Sequence, residues 1–536
     1  MLPPLQADVL VIGGGLAGAR AAQAATDAGA KTVLASKAPM GTGGASARAS
    51  GGFAAAVGGD DSAERHANDT CAGGCGINTV RLVEMITAQA PAALARLQEQ
   101  AGGFAAPCEA LAGRPAPLHS RPRSVQYPHG MAHLMDGLGR ALAQAGTELL
   151  DHHRLVDLVC SKDGGVCGAW LFDQAAGTFV RVEARAVVLA TGGCGQLFPV
   201  TSNGADATGD GYAAALRAGC VLQDMEFIQF TPTAFAAPAA LRGHTIVGTL
   251  LTLPGVKLLN AKGERFMKRY APQLGEGADR ATLARAIFRE VREGRGTDAG
   301  AVYLDATKVS AETFNRHRPG FYDLCQAHGL DPCAAPLQTA PAVHTCLGGI
   351  KAGPDLQAAP GLFVAGEVMA GMHGANRLSS NSLTEANVTG WLAGELAAAS
   401  VRKRKPGPAD ASAVAPRLPG PDALAMADLH HRLQQLMGAA AGVERDAEGL
   451  RAGLSGLGPL RREHAIAGSD DPGSWLDLRN MLLVAEAILG SALQRTESRG
   501  AHARTDYPAQ SDEHWIANVC CVLEGGALAF HRTPRG

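Results

Sequence analysis

Three stretches of the chain share one pattern, a β-branched apolar run that ends in glycine. ADVLVIGGG, starting at Ala7, is the first, and AVVLATGG (Ala186–Gly193) and GLFVAGE (Gly361–Glu367) repeat its form. Unbroken apolar runs of this length suit parallel strands covered on both faces. After the first run, the small-residue stretch Leu16–Ala28 reads as a helix and KTVLAS (Lys31–Ser36) as a second strand. The N-terminus therefore predicts a βαβ unit. Strands so far apart in sequence imply one sheet assembled from distant segments, with something inserted between them.

The insertion runs from about Glu226 to Pro341, where turn signals alternate with charged helices such as Ala281–Glu293. After Ser400, VRKRKPGPADASAVAPRLPGP is rich in Pro and Ala and nearly aperiodic, which reads as a linker. Beyond Asp422 the pattern turns helical. Leu429, Leu433, Leu436 and Met437 fall at helix spacing, and Leu476–Arg495 follows as a second long helix.

Composition narrows the function. At roughly 150 residues per domain, 536 residues suggest three or four domains. Lys+Arg 48 against Asp+Glu 50 leaves a net charge of −2, so no bulk charge favours nucleic acid or an anionic membrane as partner. The RKRK run is read as an exposed linker charge. Gly is 68 of 536, about one in eight, and aromatics only 4%. That suggests close backbone packing around something and argues against a stacking platform for single strands. Twelve cysteines are scattered without metal-site spacing, and C-x3-C at Cys71 and Cys75 has no matching second pair. Reduced thiols in a cytoplasmic protein, without zinc or an iron–sulfur cluster, are the expectation. MLPPLQADVLVIGGG lacks the features of a signal peptide, and no stretch reaches ~18 apolar residues, so no direct membrane insertion is expected.

The chemistry begins at Gly13-x-Gly15-x-x-Gly18, which follows a strand and opens a helix. The first glycine makes the tight turn, and the second lets backbone approach a pyrophosphate. The third packs the helix, whose N-terminus holds negative charge. A tight structural turn is the bland alternative. A ribose-binding carboxylate should end the second strand, yet Ser36 and Lys37 stand there.

Longer motifs carry a resemblance. VIGGGLAG, ASKAPMGTGGASARASGGFAAAV (Ala35–Val57), ATGGCGQLF (Ala190–Phe198), ATGDGYAAALRAG (Ala207–Gly219) and EFIQFTPT (Glu226–Thr233) come first. NAKGERFMKRYAP (Asn260–Pro272), APAVHTCLGGI (Ala340–Ile350), GLFVAGEVMAGMHGANRLSSNSLTEANVTG (Gly361–Gly390) and RNMLLVAEAILGSALQRTESRGAHARTDYP (Arg479–Pro508) follow. In this order they resemble the succinate dehydrogenase/fumarate reductase flavoprotein family, and within it most closely the L-aspartate oxidase branch.

The resemblance implies an α/β fold in three parts. Residues 1–225 and 342–400 would form a discontinuous, Rossmann-like FAD-binding domain, and 226–341 an inserted α+β capping domain. A linker at 401–421 would lead to a C-terminal helical domain at 422–536. It implies FAD as cofactor and makes Ser-Lys after the second strand ordinary. By position, Gly13, Gly14, Gly15, Leu16, Ala17 and Gly18 would cradle the diphosphate, with Ser36 and Lys37 near the adenosine half. The loop carrying Gly44, Ala45, Ser46 and Gly51 would pass the flavin. Asp210 and Glu367 would contact the cofactor, and Ser382 and Leu383 would offer backbone groups to the isoalloxazine. Ala45 stands where subunits of the membrane complexes carry the histidine that links covalently to flavin, so FAD is expected to be non-covalent.

Family chemistry is hydride transfer between flavin and a small carboxylate. His344 and Arg377 match carboxylate-binding positions, and Arg280 matches the arginine assigned as proton donor. Three positions depart from the pattern. Thr231 replaces the histidine of QFHPT, GTLLTLPGV (Gly248–Val256) replaces a Thr-Glu stretch, and Ala116 replaces an acidic residue ahead of Leu118-His119-Ser120. His244 lies nearby and takes no role. A site that loses hydrogen-bonding partners should reject its old substrate strongly.

The leading reading is an aspartate-oxidase-like FAD oxidoreductase with an altered substrate shell. The second is a flavoprotein subunit passing electrons to an electron-acceptor protein. The third is a flavin-binding protein without catalysis, against which Arg280, His344 and Arg377 speak.

Overall fold

The computed structural model describes residues 3–104, 111, 113–116, 118–246, 250–251, 253–317, 320–404, 426–466 and 471–535. Ten elements position the site. The strands are β1 (Leu5–Ile12), β2 (Thr32–Ala35), β3 (Thr178–Leu189), β4 (Ile228–Phe235), β5 (Leu337–Cys346) and β6 (Leu362–Val364). The helices are α1 (Leu16–Asp27), α2 (Arg280–Glu290), α3 (Asn381–Lys403) and α4 (Pro472–Gln494).

The three glycine-ended runs lie side by side. Strands β6, β3, β1, β2 and Glu148–Leu150 are parallel neighbours in that order. Ile12 pairs with both Ala35 and Leu189, and Leu189 with Val364, so the carboxyl ends of four strands meet at one edge. In an open parallel sheet that edge is where ligands bind. One face is covered by α1 and α3, and their contact explains the small residues of LAGARAAQAATD. A Cβ at Gly390 would lie 2.4 Å from the Ala17 carbonyl oxygen, and one at Gly394 would lie 2.2 Å from that of Ala21. Only backbone-to-backbone packing fits there.

In the inserted part, β4 and β5 pair antiparallel, and Val302–Asp305 and Lys257–Leu259 complete a four-stranded sheet. It has its own core around Phe235, Phe266, Phe314 and Phe321. The boundary expected at Pro341 falls inside β5, which continues to Cys346. One strand therefore runs from the capping sheet straight to the cofactor domain.

Val401–Lys403, expected as linker, are the last turn of α3, and Arg404 donates to the carbonyls of Val166 and Arg185. Its charge is thus taken up by the fold. The remainder of the linker, 405–421, lies outside the described residues. Helices Met426–Ala440, Ala447–Ile466 and α4 form the C-terminal bundle. The hairpin Ala517–Glu524/Ala527–Pro534 joins Leu222–Gln223 in a further sheet, so this domain is helical with a β addition. Among the described residues no helix is long and apolar enough to cross a membrane.

Candidate active site

The turn from β1 to α1 separates structural from ligand-facing glycines. Gly13 adopts φ +124°, and a Cβ there would lie 2.1 Å from the Ala190 carbonyl oxygen. A Cβ at Gly18 would lie 1.8 Å from the Gly13 carbonyl oxygen. Both residues clamp the turn against β3. Gly15 differs, because its Cβ would meet only the Ser46 hydroxyl, at 3.2 Å. It sits at the N-cap of α1 and brings no capping side chain; the Leu16 N–H donates to the Ser46 hydroxyl at 3.0 Å, and the positive dipole end faces the space beyond.

That space is a cavity of about 1350 Å³, counting its open mouth. Of the residues expected to hold the cofactor, Gly13, Gly14, Gly15, Leu16, Ala17, Ser36, Lys37, Gly44, Ala45, Ser46, Asp210, Glu367, Ser382 and Leu383 line it. Gly18 and Gly51 do not. Gly18 faces Gly13, and Gly51, at φ +83°, packs against Tyr127. A dinucleotide fits the donor set: a cradle that a side chain at Gly15 would fill, a helix N-terminus for a pyrophosphate, and carboxylates in the wall for hydroxyls.

Lys37 shows how the wall is held. Its Nζ lies 2.7 Å from Asp210 and 2.8 Å from Asp477 of α4. Burial disfavours its charge, but the two carboxylates outweigh burial and hold Lys37 above its ordinary range. Asp210 also accepts from Thr208 and from Asn480 of α4. The C-terminal domain thus braces two residues of the cavity wall from behind, and Asp477, which sequence reasoning missed, is one of its contacts. Glu367 is pushed up to about 7 by burial, with the Cys346 N–H donating to it at 3.1 Å.

At the other end, β5 brings His344 to the cavity, and its Nδ1 lies 2.8 Å from the Ser202 hydroxyl. Burial, then the charges of Arg377 and Arg280, push His344 down to about 3, so its imidazole is neutral. Arg377 is buried just ahead of α3. One N–H donates to the Leu378 carbonyl, and its Nε has no partner among the described residues. Burial and the Arg280 charge push Arg377 down to about 9 against the pull of Glu367 and Glu385.

Arg280 begins α2, but the cap is Asp279, whose carboxylate accepts from Ala281 and Thr282 at 2.9 and 3.0 Å. The Arg280 side chain is left without a hydrogen-bond or ion-pair partner among the described residues. It faces a smaller cleft with Gln229, Asn376 and Arg285. Of the three, only His344 lines the large cavity, and Arg377 lines neither space; the two guanidiniums are nonetheless near enough to repel each other and to disfavour charge on the imidazole, and neither has a paired carboxylate among the described residues. Burying unpaired cations is expensive, and an anion would relieve both.

The altered positions stand apart from this. Thr231 is buried on β4 opposite Ala342, Ala116 is half-buried in a loop, and neither lines the cavity. Of GTLLTLPGV, residues 248, 249 and 252 lie outside the described residues, while Leu250, Leu251 and Val256 belong to the capping core. The cavity also holds residues given no role by the sequence, among them Arg48 and Thr345 inside the quoted motifs and Ser202, Asn203 and Thr245 outside them. The run TSNG just ahead of ATGDG was the available signal for Ser202 and Asn203.

Ala45 offers no nucleophile at its place in the wall. Acid precipitation of the purified yellow protein should therefore release all flavin to the supernatant. A yellow pellet would contradict non-covalent binding.

Comparison with known proteins agrees with the geometry. A family profile described as "FAD binding domain" matches residues 8–383, and one described as "Fumarate reductase flavoprotein C-term" matches 430–530. The chain is 35% identical to an L-aspartate oxidase of Streptomyces coelicolor, over 99% of this chain and 94% of that protein. It is also 35% identical to a fumarate reductase flavoprotein subunit of Mycobacterium tuberculosis, over 99% and 97%. Mycobacterium smegmatis Sdh1 superposes with a TM-score of 0.90 at 34% identity, over 99% of this chain and 95% of that one. Quinol fumarate reductase of E. coli does so with 0.90 at 28%, over 99% and 97%.

Proposed function

The chain belongs to the succinate dehydrogenase/fumarate reductase flavoprotein family, and from that premise we propose that it moves a hydride between FAD and a small carboxylate. It is an FAD-dependent oxidoreductase. Bound FAD supplies a ring nitrogen that takes or gives the hydride. The chain's own residues do the rest. The observation that carries the substrate class is that Arg377 and Arg280, neither with a carboxylate partner among the described residues, act on each other's charge and on that of the neutral, cavity-lining His344. Arg377 clamps a carboxylate in the bidentate way that a planar guanidinium favours. His344 adds a neutral hydrogen bond, and Arg280 handles the proton at the reacting carbon. Gly15 and Gly14 admit the diphosphate, Glu367 and Asp210 accept from cofactor hydroxyls, and the buried walls keep water from the reacting atoms.

Architecture and similarity support an L-aspartate-oxidase-like enzyme. A second reading, a flavoprotein subunit that hands electrons to an acceptor protein, draws on the equal similarity to a fumarate reductase flavoprotein subunit. Stopped-flow mixing of the oxidised holoenzyme with amino acids and dicarboxylates tests both. Bleaching of the flavin absorbance by a carboxylate, followed by recovery in oxygen or fumarate alone, is expected for the first reading. Bleaching that persists until an artificial electron acceptor is added favours the second. No bleaching by any carboxylate, with no re-oxidation of chemically reduced flavin by fumarate, would remove the carboxylate assignment.

A further inference from the structure

We propose that Ser202 is a positioning residue, whose hydroxyl holds His344 in the tautomer that carries its proton on Nε2 and so presents a donor to the substrate. The role rests on the carboxylate reading above; the tautomer itself rests on hydrogen-bond accounting around β5.

The segment 200–203 runs alongside β5 as if it were a short extra strand. The Val343 N–H donates to the Val200 carbonyl at 2.9 Å, and the Ser202 N–H returns to the Val343 carbonyl at 2.9 Å. The Asn203 side-chain amide donates to the His344 carbonyl at 2.9 Å. This backbone lock, made between the cofactor domain and the capping sheet, fixes where the Ser202 hydroxyl points.

The protons can then be counted. The Thr201 hydroxyl accepts from the Asn203 N–H at 3.1 Å and so spends its own proton on the Val343 carbonyl, 3.2 Å away. That carbonyl has two lone pairs, and the Ser202 N–H and the Thr201 O–H fill them. The Ser202 hydroxyl reaches the same carbonyl at 3.2 Å, no closer than the Thr201 hydroxyl does, but unlike Thr201 it has a second and shorter contact, to His344 Nδ1 at 2.8 Å. Its single proton goes to Nδ1. A neutral imidazole that accepts at Nδ1 must carry its hydrogen on Nε2. Among the described residues nothing accepts from Nε2, and His344 lines the cavity.

The opposite tautomer would leave Nε2 a bare nitrogen, on a ring whose charge Arg377 and Arg280 already disfavour. Neither Arg280 nor Arg377 donates to it, so that lone pair would face an incoming carboxylate unpartnered. With the hydrogen on Nε2, all three groups are donors and agree on one kind of ligand, an anion. The facing charged groups are the same Arg377 and Arg280 that burial reinforces in keeping the ring neutral.

The test uses the FAD-loaded protein with ¹⁵N-labelled histidine, the His344 signals being identified by their loss in His344→Gln. Wild type should show a protonated Nε2 and an unprotonated Nδ1. Ser202→Ala should shift the ring toward Nδ1–H and weaken binding of malonate, read as the flavin absorbance change, by about tenfold. Ser202→Thr, which keeps the hydroxyl, should restore both, and equal FAD content in all three separates this from misfolding. The proposal is overturned if wild-type His344 carries its proton on Nδ1, or if Ser202→Ala leaves tautomer and malonate affinity unchanged. A tautomer shift in Ser202→Ala, with malonate and succinate silent even in wild type, would uphold the tautomer while removing the carboxylate reading.

Discussion

Gly15→Val should give a folded, colourless protein. The substitution separates the two jobs of the glycine-rich turn because the three glycines meet different surroundings. At Gly13 and Gly18 a Cβ would run into backbone at 2.1 and 1.8 Å, and neither carbonyl can move without breaking the β1–α1 junction. At Gly15 the backbone is extended (φ −81°, ψ −175°), which a β-branched residue adopts readily, and the nearest atom is a serine hydroxyl that can rotate. The added methyl groups would instead fill the space in front of the helix N-terminus, where the pyrophosphate must approach the N–H groups closely. Flavin content should fall below about one-tenth of stoichiometric, with a far-ultraviolet circular dichroism spectrum like that of wild type, and all turnover should go with it. Stoichiometric FAD on Gly15→Val would refute the dinucleotide-cradle assignment. Gly13→Val should fail earlier, in the yield of soluble protein, because its clash is internal.

How much of this could be read from the sequence depended on whether the signal was local. The β1–turn–α1 unit was legible because strand, glycines and helix are contiguous, and β3 and β6 were legible because buried parallel strands leave uninterrupted apolar runs. Ala447–Ile466 carried no comparable signal. It contains Gly449, Gly453, Gly456, Gly458 and an internal Pro459, all poor helix formers, and packing holds it: a Cβ at Gly453 would press on Ala440 and Leu489. The C-terminal hairpin was hidden for another reason, since it joins its sheet through Leu222–Gln223, far away in sequence. Arg377 and His344 were found through the motifs around them. Asp477 and Ser202 were missed because their meaning lies in a contact between distant segments. Asp477 is one acidic residue on a largely buried helix until Lys37 is seen against it, and Ser202 is one hydroxyl in a loop until β5 is laid alongside. The altered Thr231 and Ala116 do not line the cavity, and neither do Arg280 and Arg377, so motif position by itself does not place a side chain in its wall.

Arg280→Lys should lower kcat by about a hundredfold or more while leaving flavin content and stability near those of wild type. The expectation follows from what Arg280 does not do. It does not cap α2, because Asp279 does, and it makes no ion pair among the described residues, so little of the fold depends on it. Its guanidinium lies close enough to raise the cost of charge on both His344 and Arg377. A group kept charged and unpaired beside a reacting centre is arranged for the moment when negative charge develops there, and lysine retains the charge but loses the planar fork and its reach. An interaction made mainly in the transition state lowers kcat and kcat/KM together, whereas one made equally with bound substrate raises KM alone. Arg377→Lys should follow the second pattern, since its role is the clamp, and the contrast between the two variants is the measurement. Both are assayed on whichever carboxylate bleaches the flavin, with thermal melts run alongside. Near-wild-type kcat in Arg280→Lys would leave Arg280 as a solvated residue at the start of a helix, and the proton at the reacting carbon would need another donor, such as the hydroxyls of Thr245 and Thr345 that share the cavity.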